Sequence, residues 1–224
     1  MARKLKCGII GCGVIAPTHV TSYQTQEDVE VNWACDLVEA KAHALADQFG
    51  ISNVTTEYEE VMADPDVDCI SVCTDHASHA PITVAALDAG KHVLCEKALA
   101  ATREGMDAMF AAHGRRPDLV FEGVFQHRFD AVNLYLKDLI DNGAFGQLLT
   151  AGVQVRCLRT DDYYRGDEWR GTWAKEGGAV TINQAIHFID LLLWIAGPGV
   201  AVCGAHTNLT HGEVIETEDT SVAI

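Results

Sequence analysis

The sequence predicts an α/β protein of two domains, a doubly wound parallel sheet over residues 1–125 followed by a second α/β domain over residues 126–224. Three observations carry that expectation. Short apolar runs alternate with stretches whose apolar positions recur every three or four residues, the rhythm of strand, helix, strand. The first run ends in a glycine-rich turn, "GCGVIA", that opens a helical pattern. After Phe125 the rhythm changes, and a long polar, aromatic segment separates two further helices.

In order, "KCGII" (6–10), "EVNWAC" (30–35) and "DCISVC" (68–73) read as strands, each followed by a helical pattern, and "KHVLC" (91–95) and "LVFEGVF" (119–125) supply two more. The helices are read from "APTHVTSYQTQ" (16–26), "LVEAKAHALADQFG" (37–50), "APITVAALDAG" (80–90) and "TREGMDAMFAAHG" (102–114), with a glycine stopping three of the four. Right-handed crossovers then make the sheet parallel and doubly wound. In the second domain "RFDAVNLYLKDLIDNG" (128–143) is an amphipathic helix with an Asn-Gly stop, and "QLLTAGVQVRCLR" (147–159) is a long extended segment. "DDYYRGDEWRGTWAKEGG" (161–178) is too long for a tight turn and is a candidate substrate loop. "AVTINQAIHFIDLLLWIAG" (179–197) reads as a helix ended by Gly197 and Pro198, and "VAVCGAHTNL" (200–209) and "TSVAI" (220–224) are strand-like.

Composition narrows the partners. The 224 residues, 48% of them apolar, are enough for real cores, and a formal charge of −16 repels nucleic acid and anionic membrane surfaces. Any phosphate must therefore be bound locally, by backbone amides. The eight cysteines lie mostly in apolar runs without a CxxC pair, which reads as reduced, buried thiols of a cytoplasmic protein. The start "MARKLKCGIIGCG" has a signal-like charge distribution, but its apolar stretch is short and glycine-broken, and no segment is long enough to span a bilayer. His76 and His79, or His206 and His211, lack acidic or cysteine partners at ligand spacing, so no metal is expected.

The glycine turn has a physical reading. Gly11 permits the tight turn, Gly13 lets the backbone approach a pyrophosphate, and the small Ala16 lets the helix pack on the strand. The helix N-terminus then offers amides and a partial positive charge to phosphates. Asp36 ends the second strand about 25 positions later, where a carboxylate can accept from a ribose diol. It would repel an added 2′-phosphate, and Leu37 and Val38 offer no compensating arginine, so NAD is favoured over NADP. Asp36 can equally cap the following helix, and both roles can hold together. Val14 and Ile15 on the turn, and Thr74, His79, Glu96 and Lys97 later in the domain, complete the candidate cofactor-binding set.

On the helix at 179–197, Ile186, Ile189 and Leu193 make an apolar face, with Asn183, His187, Asp190 and Trp194 on the adjoining one. Taken together, "GCGVIA", "GKHVLCEKAL", "FQHRF" and "GGAVTINQAIHFIDLLLW" resemble in order and spacing the glucose-fructose oxidoreductase/inositol dehydrogenase family (Gfo/Idh/MocA), over essentially the whole chain. The resemblance implies a Rossmann domain joined to an α/β domain with an open, mainly antiparallel sheet. It also implies NAD(P)-dependent oxidation or reduction of sugars and cyclitols.

Carried across, Lys97 resembles the family's active-site lysine, and Asn183 and His187 the two polar positions of its substrate helix, with His187 as proton acceptor. Removing a hydride from a secondary alcohol leaves a hydroxyl proton for a base with a pKa near the working pH, which neutral His187 can take. Lys97 as an ammonium would hydrogen-bond the substrate oxygen, and burial could lower its pKa enough to share the proton. Trp169, Arg170 and Trp173 are candidate walls of a sugar pocket, against a loop held by its own aromatics. Arg128, beside His127, matches a family position bordering the site, against a solvated residue at a helix start.

Two departures stand out. Ala98 replaces the proline of the family's Glu-Lys-Pro, so the Lys97–Ala98 bond is either cis, at about 3–4 kcal/mol, or trans with Lys97 re-aimed. Asn183 stands where many members carry Asp, so His187 is expected to act without a neighbouring ionisable partner. The resemblance also implies further chain beyond Ile224, hence an incomplete sheet and either marginal stability or a homodimer or homotetramer covering it. The leading expectation is a dehydrogenase of EC 1.1.1 type acting with NAD on a secondary alcohol of a sugar, sugar acid, nucleotide-sugar or cyclitol. A non-catalytic NAD-binding regulator and an NAD-recycling glycoside hydrolase remain open alternatives.

Overall fold

A computed structural model describes residues 3–224 and divides them into two compact units between Val124 and Phe125. In the N-terminal unit six strands, β1 (Leu5–Ile10), β2 (Val29–Cys35), β3 (Asn53–Thr55), β4 (Cys69–Val72), β5 (His92–Cys95) and β6 (Phe121–Gly123), form one sheet in the order 3-2-1-4-5-6, every neighbouring pair parallel. The order reverses between β1 and β4, which places a crevice at their carboxyl ends.

Alternation along β1 builds the two cores. Cys7 and Ile9 pack with Ala16 and Val20 of α1 (Ala16–Gln24) and with Ala42 and Leu45 of α2 (Glu39–Phe49). Ile10 turns to the other face, among residues of α3 (Tyr58–Ala63), α4 (His76–Asp88) and α5 (Arg103–Arg115). Helix ends follow local chemistry. Pro17 sits in the first turn of α1, where a missing N–H costs nothing. Gly50 closes α2 in the left-handed region, and the side chains of Asp75 and Thr102 cap α4 and α5 by accepting from Ser78 N and Gly105 N.

Several expectations are corrected. Strand β3 and helix α3, three and six residues long, were not foreseen. Helix α4 starts four residues before "APIT", because Asp75 caps it across the polar "HASH". Gly114 does not stop α5, which runs through to Arg115. All eight cysteines are free thiols, but Cys157 and Cys203 are exposed rather than buried. Burial pushes the thiols of Cys12, Cys35 and Cys95 up to about 12.

The C-terminal unit opens with a 3-10 turn (Gln126–Phe129) and α6 (Ala131–Asp141), followed by a stretch at 147–159 that joins no strand ladder, contrary to its extended reading. A short helix, α7 (Asp161–Arg165), begins the segment expected to be all loop. The single helix expected over 179–197 is a π-helical turn (Val180–Gln184) leading into α8 (Ile186–Ala196). Strands β7 (Gly204–Thr207) and β8 (Thr220–Ala223) pair antiparallel. Among the described residues no helix is long and apolar enough to cross a membrane.

The connection between β7 and β8 is organised by Asp219. Its carboxylate accepts from the backbone N–H of Leu209, Thr210 and His211, from the hydroxyls of Thr210 and Thr220, and from His211 Nδ1. Burial opposes the charge, but these donors outweigh it and hold the carboxyl well below the ordinary carboxylate range. A depressed folded-state pKa stabilises the fold at neutral pH, and the contribution is lost as pH falls through the unfolded value of about 3.9 and below. Asp219→Asn is therefore expected to cost about 2 kcal/mol at pH 7 and progressively less as pH falls from about 4 toward 2, read from urea unfolding across that range. A cost that does not change with pH would contradict the charged role.

Candidate functional site

The carboxyl ends of β1, β2, β4 and β5 carry most of the residues singled out in the N-terminal unit. At the end of β1, Gly11 has φ +93°, and a Cβ there would lie 2.7–2.8 Å from the backbone of Cys73 and Thr74. Only glycine lets the turn pass so close to the exit of β4. A Cβ on Gly13 would meet nothing within 4 Å, so the backbone there faces open space, as a cradle for a phosphate requires. Val14 is 84% exposed and Ile15 half as much, two apolar side chains flanking the turn.

Asp36 serves the turn directly. Its Oδ2 accepts from Cys12 N and its Oδ1 from Val38 N, both at 2.8 Å. The carboxylate thus pins the glycine turn to the end of β2, and its remaining lone pairs are suited to a diol. It does not cap α2, whose N-cap is Val38. Thr74 leads from β4 toward α4 and stands half-buried against Gly11.

At the end of β5, Glu96 is buried and both its oxygens are engaged. Oε1 accepts from His19 Nε2 of α1 at 2.9 Å, and Oε2 from the Lys97 backbone N–H at 3.1 Å. Behind them the Tyr23 hydroxyl and Ser71 Oγ share a hydrogen bond at 2.7 Å, and Ser71 stands 3.3 Å from His19 Nδ1. Burial would raise the Glu96 carboxyl, but the His19 hydrogen bond and charge, the Lys97 amide and the Lys97 ammonium leave its pKa lowered. The Lys97–Ala98 bond is cis.

His79 is corrected as a cofactor contact. It is fully buried, with Nδ1 donating to the Ala98 carbonyl at 2.6 Å and Nε2 3.1 Å from the Thr74 carbonyl, so it holds the backbone beneath the turn. Burial pushes its pKa down and keeps the ring neutral.

In the C-terminal unit, Asn183 lies in the π-helical turn and donates to Glu176, a fully buried carboxylate that also accepts from Gly171 N. Asn183, an amide itself, thus has an ionisable neighbour in Glu176. Nothing in "AKEGG" marks Glu176 as interior; its signal is the pair of glycines after it, both at positive φ. His187, half-buried on α8, meets the ring of His127 edge to face at 5.1 Å.

Arg128 directs its Nε and Nη2 to Asp190 at 2.7 and 2.5 Å, and its guanidinium lies over Phe125 and Trp194. Arg170 stacks on Tyr163 at 4.1 Å and Trp169 at 5.5 Å and pairs with Asp167, so this part of the loop is held by its own aromatics. Among the described residues no three His, Cys, Asp or Glu side chains are grouped to hold a metal ion.

The profile described as "Oxidoreductase family, NAD-binding Rossmann fold" matches residues 5–124, and that of the "GFO/IDH/MocA C-terminal domain" matches residues 133–224. The chain belongs to the Gfo/Idh/MocA oxidoreductase family. It is 34% identical over 194 residues to an inositol 2-dehydrogenase of Salmonella typhimurium, covering 85% of this chain and 54% of that protein. It is 31% identical over 210 residues to a D-glucoside 3-dehydrogenase of Escherichia coli, 91% of this chain and 57% of that one. The chain spans about half the length of the curated relatives it matches. Among solved structures, the WlbA dehydrogenase from Bordetella pertussis in complex with NADH and UDP-GlcNAcA superposes with a TM-score of 0.92 at 31% identity, over 99% of this chain and 66% of that one.

The two glycines of the turn separate by substitution. Gly11→Ala forces a Cβ onto backbone at positive φ and is expected to cost about 2 kcal/mol or more, whereas Gly13→Ala stays within about 0.5 kcal/mol. Urea unfolding followed by circular dichroism checks the difference, and similar losses would reject it.

Proposed function

We propose that the chain is the cofactor domain and part of the substrate domain of an NAD-dependent dehydrogenase acting on a secondary alcohol of a sugar, sugar acid, nucleotide-sugar or cyclitol. The observation that carries this reading is the turn at the switch point: a positive-φ Gly11 wedged on β4, open space at Gly13, and Asp36 bonded to the turn. Relatives named for inositol, D-glucoside and a nucleotide-sugar acid complex support the substrate class.

Bound NAD supplies the hydride acceptor at its nicotinamide ring. The amides following Gly13 and the N-terminus of α1 would hold its phosphates, and Asp36 would receive a ribose diol and disfavour a 2′-phosphate. Lys97 donates to the substrate oxygen and stabilises developing negative charge there. His187 takes the hydroxyl proton as general base, and Asn183, fixed by Glu176, offers its remaining amide atoms to substrate hydroxyls. Trp169 and Arg170 bound the substrate loop, Arg170 through its stacked aromatics. The free thiols accord with a cytoplasmic setting, and the fully exposed β7–β8 pair with a homodimer or homotetramer formed through that sheet.

NAD and NADH titration, followed with NAD present by absorbance at the reduced-nicotinamide band against sugars, sugar acids and inositols, tests the reading. Lys97→Ala and His187→Ala are each expected to lower turnover at least about 100-fold while NADH affinity stays within about threefold. Unchanged turnover in either variant rejects that residue's role.

A further inference from the structure

The mechanism uses the Lys97 amine but leaves the four buried polar groups behind it unexplained. Glu96 and His19 are 7% and 8% exposed and Ser71 is fully buried, with the Tyr23 hydroxyl bonded to it. A carboxylate accepts only, so His19 Nε2 carries the hydrogen it shares with Glu96, while its Nδ1 stands 3.3 Å from Ser71 Oγ, which is itself 2.7 Å from the Tyr23 hydroxyl.

An interior tie between α1 and β5 does not need a charge, since apolar side chains of similar volume serve as well or better. Here the charge is kept, and its second oxygen is fixed on the backbone N–H of Lys97. The other titratable groups acting on Glu96 within the unit are Cys73 at the end of β4, Cys95 on β5 and His79 from α4. Burial pushes both thiols up and the imidazole down, so all three are neutral near pH 7. The charges that act on the carboxylate are those of His19, its hydrogen-bond partner, and of Lys97.

We propose that His19 and Glu96 form a positioning pair for Lys97: Glu96 fixes the lysine's backbone and supplies the negative charge that favours its ammonium form, and His19 holds that carboxylate from the helix that opens at the glycine turn. This rests on the reading of Lys97 as the active-site amine. In this role the pair acts through the lysine.

The test uses the full chain with its lysines reductively dimethylated by ¹³C-formaldehyde, the Lys97 methyl signal being assigned by its loss in Lys97→Arg. Glu96→Gln keeps an acceptor for the Lys97 N–H but removes the charge, and is expected to lower the Lys97 titration by about one pH unit or more. His19→Leu frees the carboxylate to turn from the amide and shifts the titration the same way, while His19→Gln, which keeps a donor, restores most of it. The alkaline limb of kcat/KM moves to lower pH with the NMR titration. If Glu96→Gln does not fold, the two His19 variants carry the comparison. A Lys97 titration unmoved by the folded variants overturns the pair whatever the activity. Turnover unaffected by Lys97→Ala overturns the functional reading instead, and the NMR result then stands on its own.

Discussion

Carboxylates that accept from backbone N–H groups hold both units together at the places where the chain changes direction. Asp36 binds the amides of Cys12 and Val38 at the end of β2, and Glu96 that of Lys97 at the end of β5. Glu176 takes Gly171, Glu218 takes Ala179 and Thr181, and Asp219 takes three amides before β8. An amide is a fixed, uncharged donor, and several of them keep a carboxylate ionised without a cation. That is how a chain with 32 acidic and 16 basic residues can bring acids inside.

The remaining buried cations follow the complementary rule. Lys91, 6% exposed, donates to the carbonyls of Asp64 and Val67, closing the connection between α3 and β4 without a carboxylate partner. Arg128 does have one, Asp190, and its guanidinium face is covered by Phe125 and Trp194. The helix face expected to present Asn183, His187, Asp190 and Trp194 together is thereby divided. Asp190 and Trp194 engage Arg128, while Asn183, one turn earlier and on the π-helical segment, is drawn to Glu176.

What could be read from the sequence was set by length and by locality. The parallel strands, the glycine turn and Asp36 were legible because each is a local signal with a single geometry: a run of β-formers, a residue at positive φ, an acid at a strand end. Strand β3 and helix α3 were not, because three and six residues carry too few periods to stand out from a loop. The start of α4 was masked by "HASH", whose two histidines are interior although their type suggests surface. The environments of Glu176, His79 and Arg128 depend on partners 5 to 62 residues away, and no spacing rule reports those. The segment 147–159 has the composition of a strand but no ladder partner among the described residues, and pairing rather than composition makes a strand.

Two buried histidines on different helices hold the backbone on either side of Lys97, one at its own N–H and one a residue further on. His19 of α1 acts on its N–H side through Glu96, and His79 of α4 takes the Ala98 carbonyl directly. Their helices begin at the two neighbouring crossings of the sheet, α1 after the glycine turn of β1 and α4 after Thr74 and Asp75, and Gly11 packs against that second crossing. A shift of either helix start therefore moves the lysine backbone as well as the amides of the turn. Groups that must meet one ligand within fractions of an ångström are best hung on the same rigid elements. In this unit the turn and the lysine share α1, α4 and the strand ends between them, so the lysine's placement is a property of the sheet's switch point rather than of its own short loop.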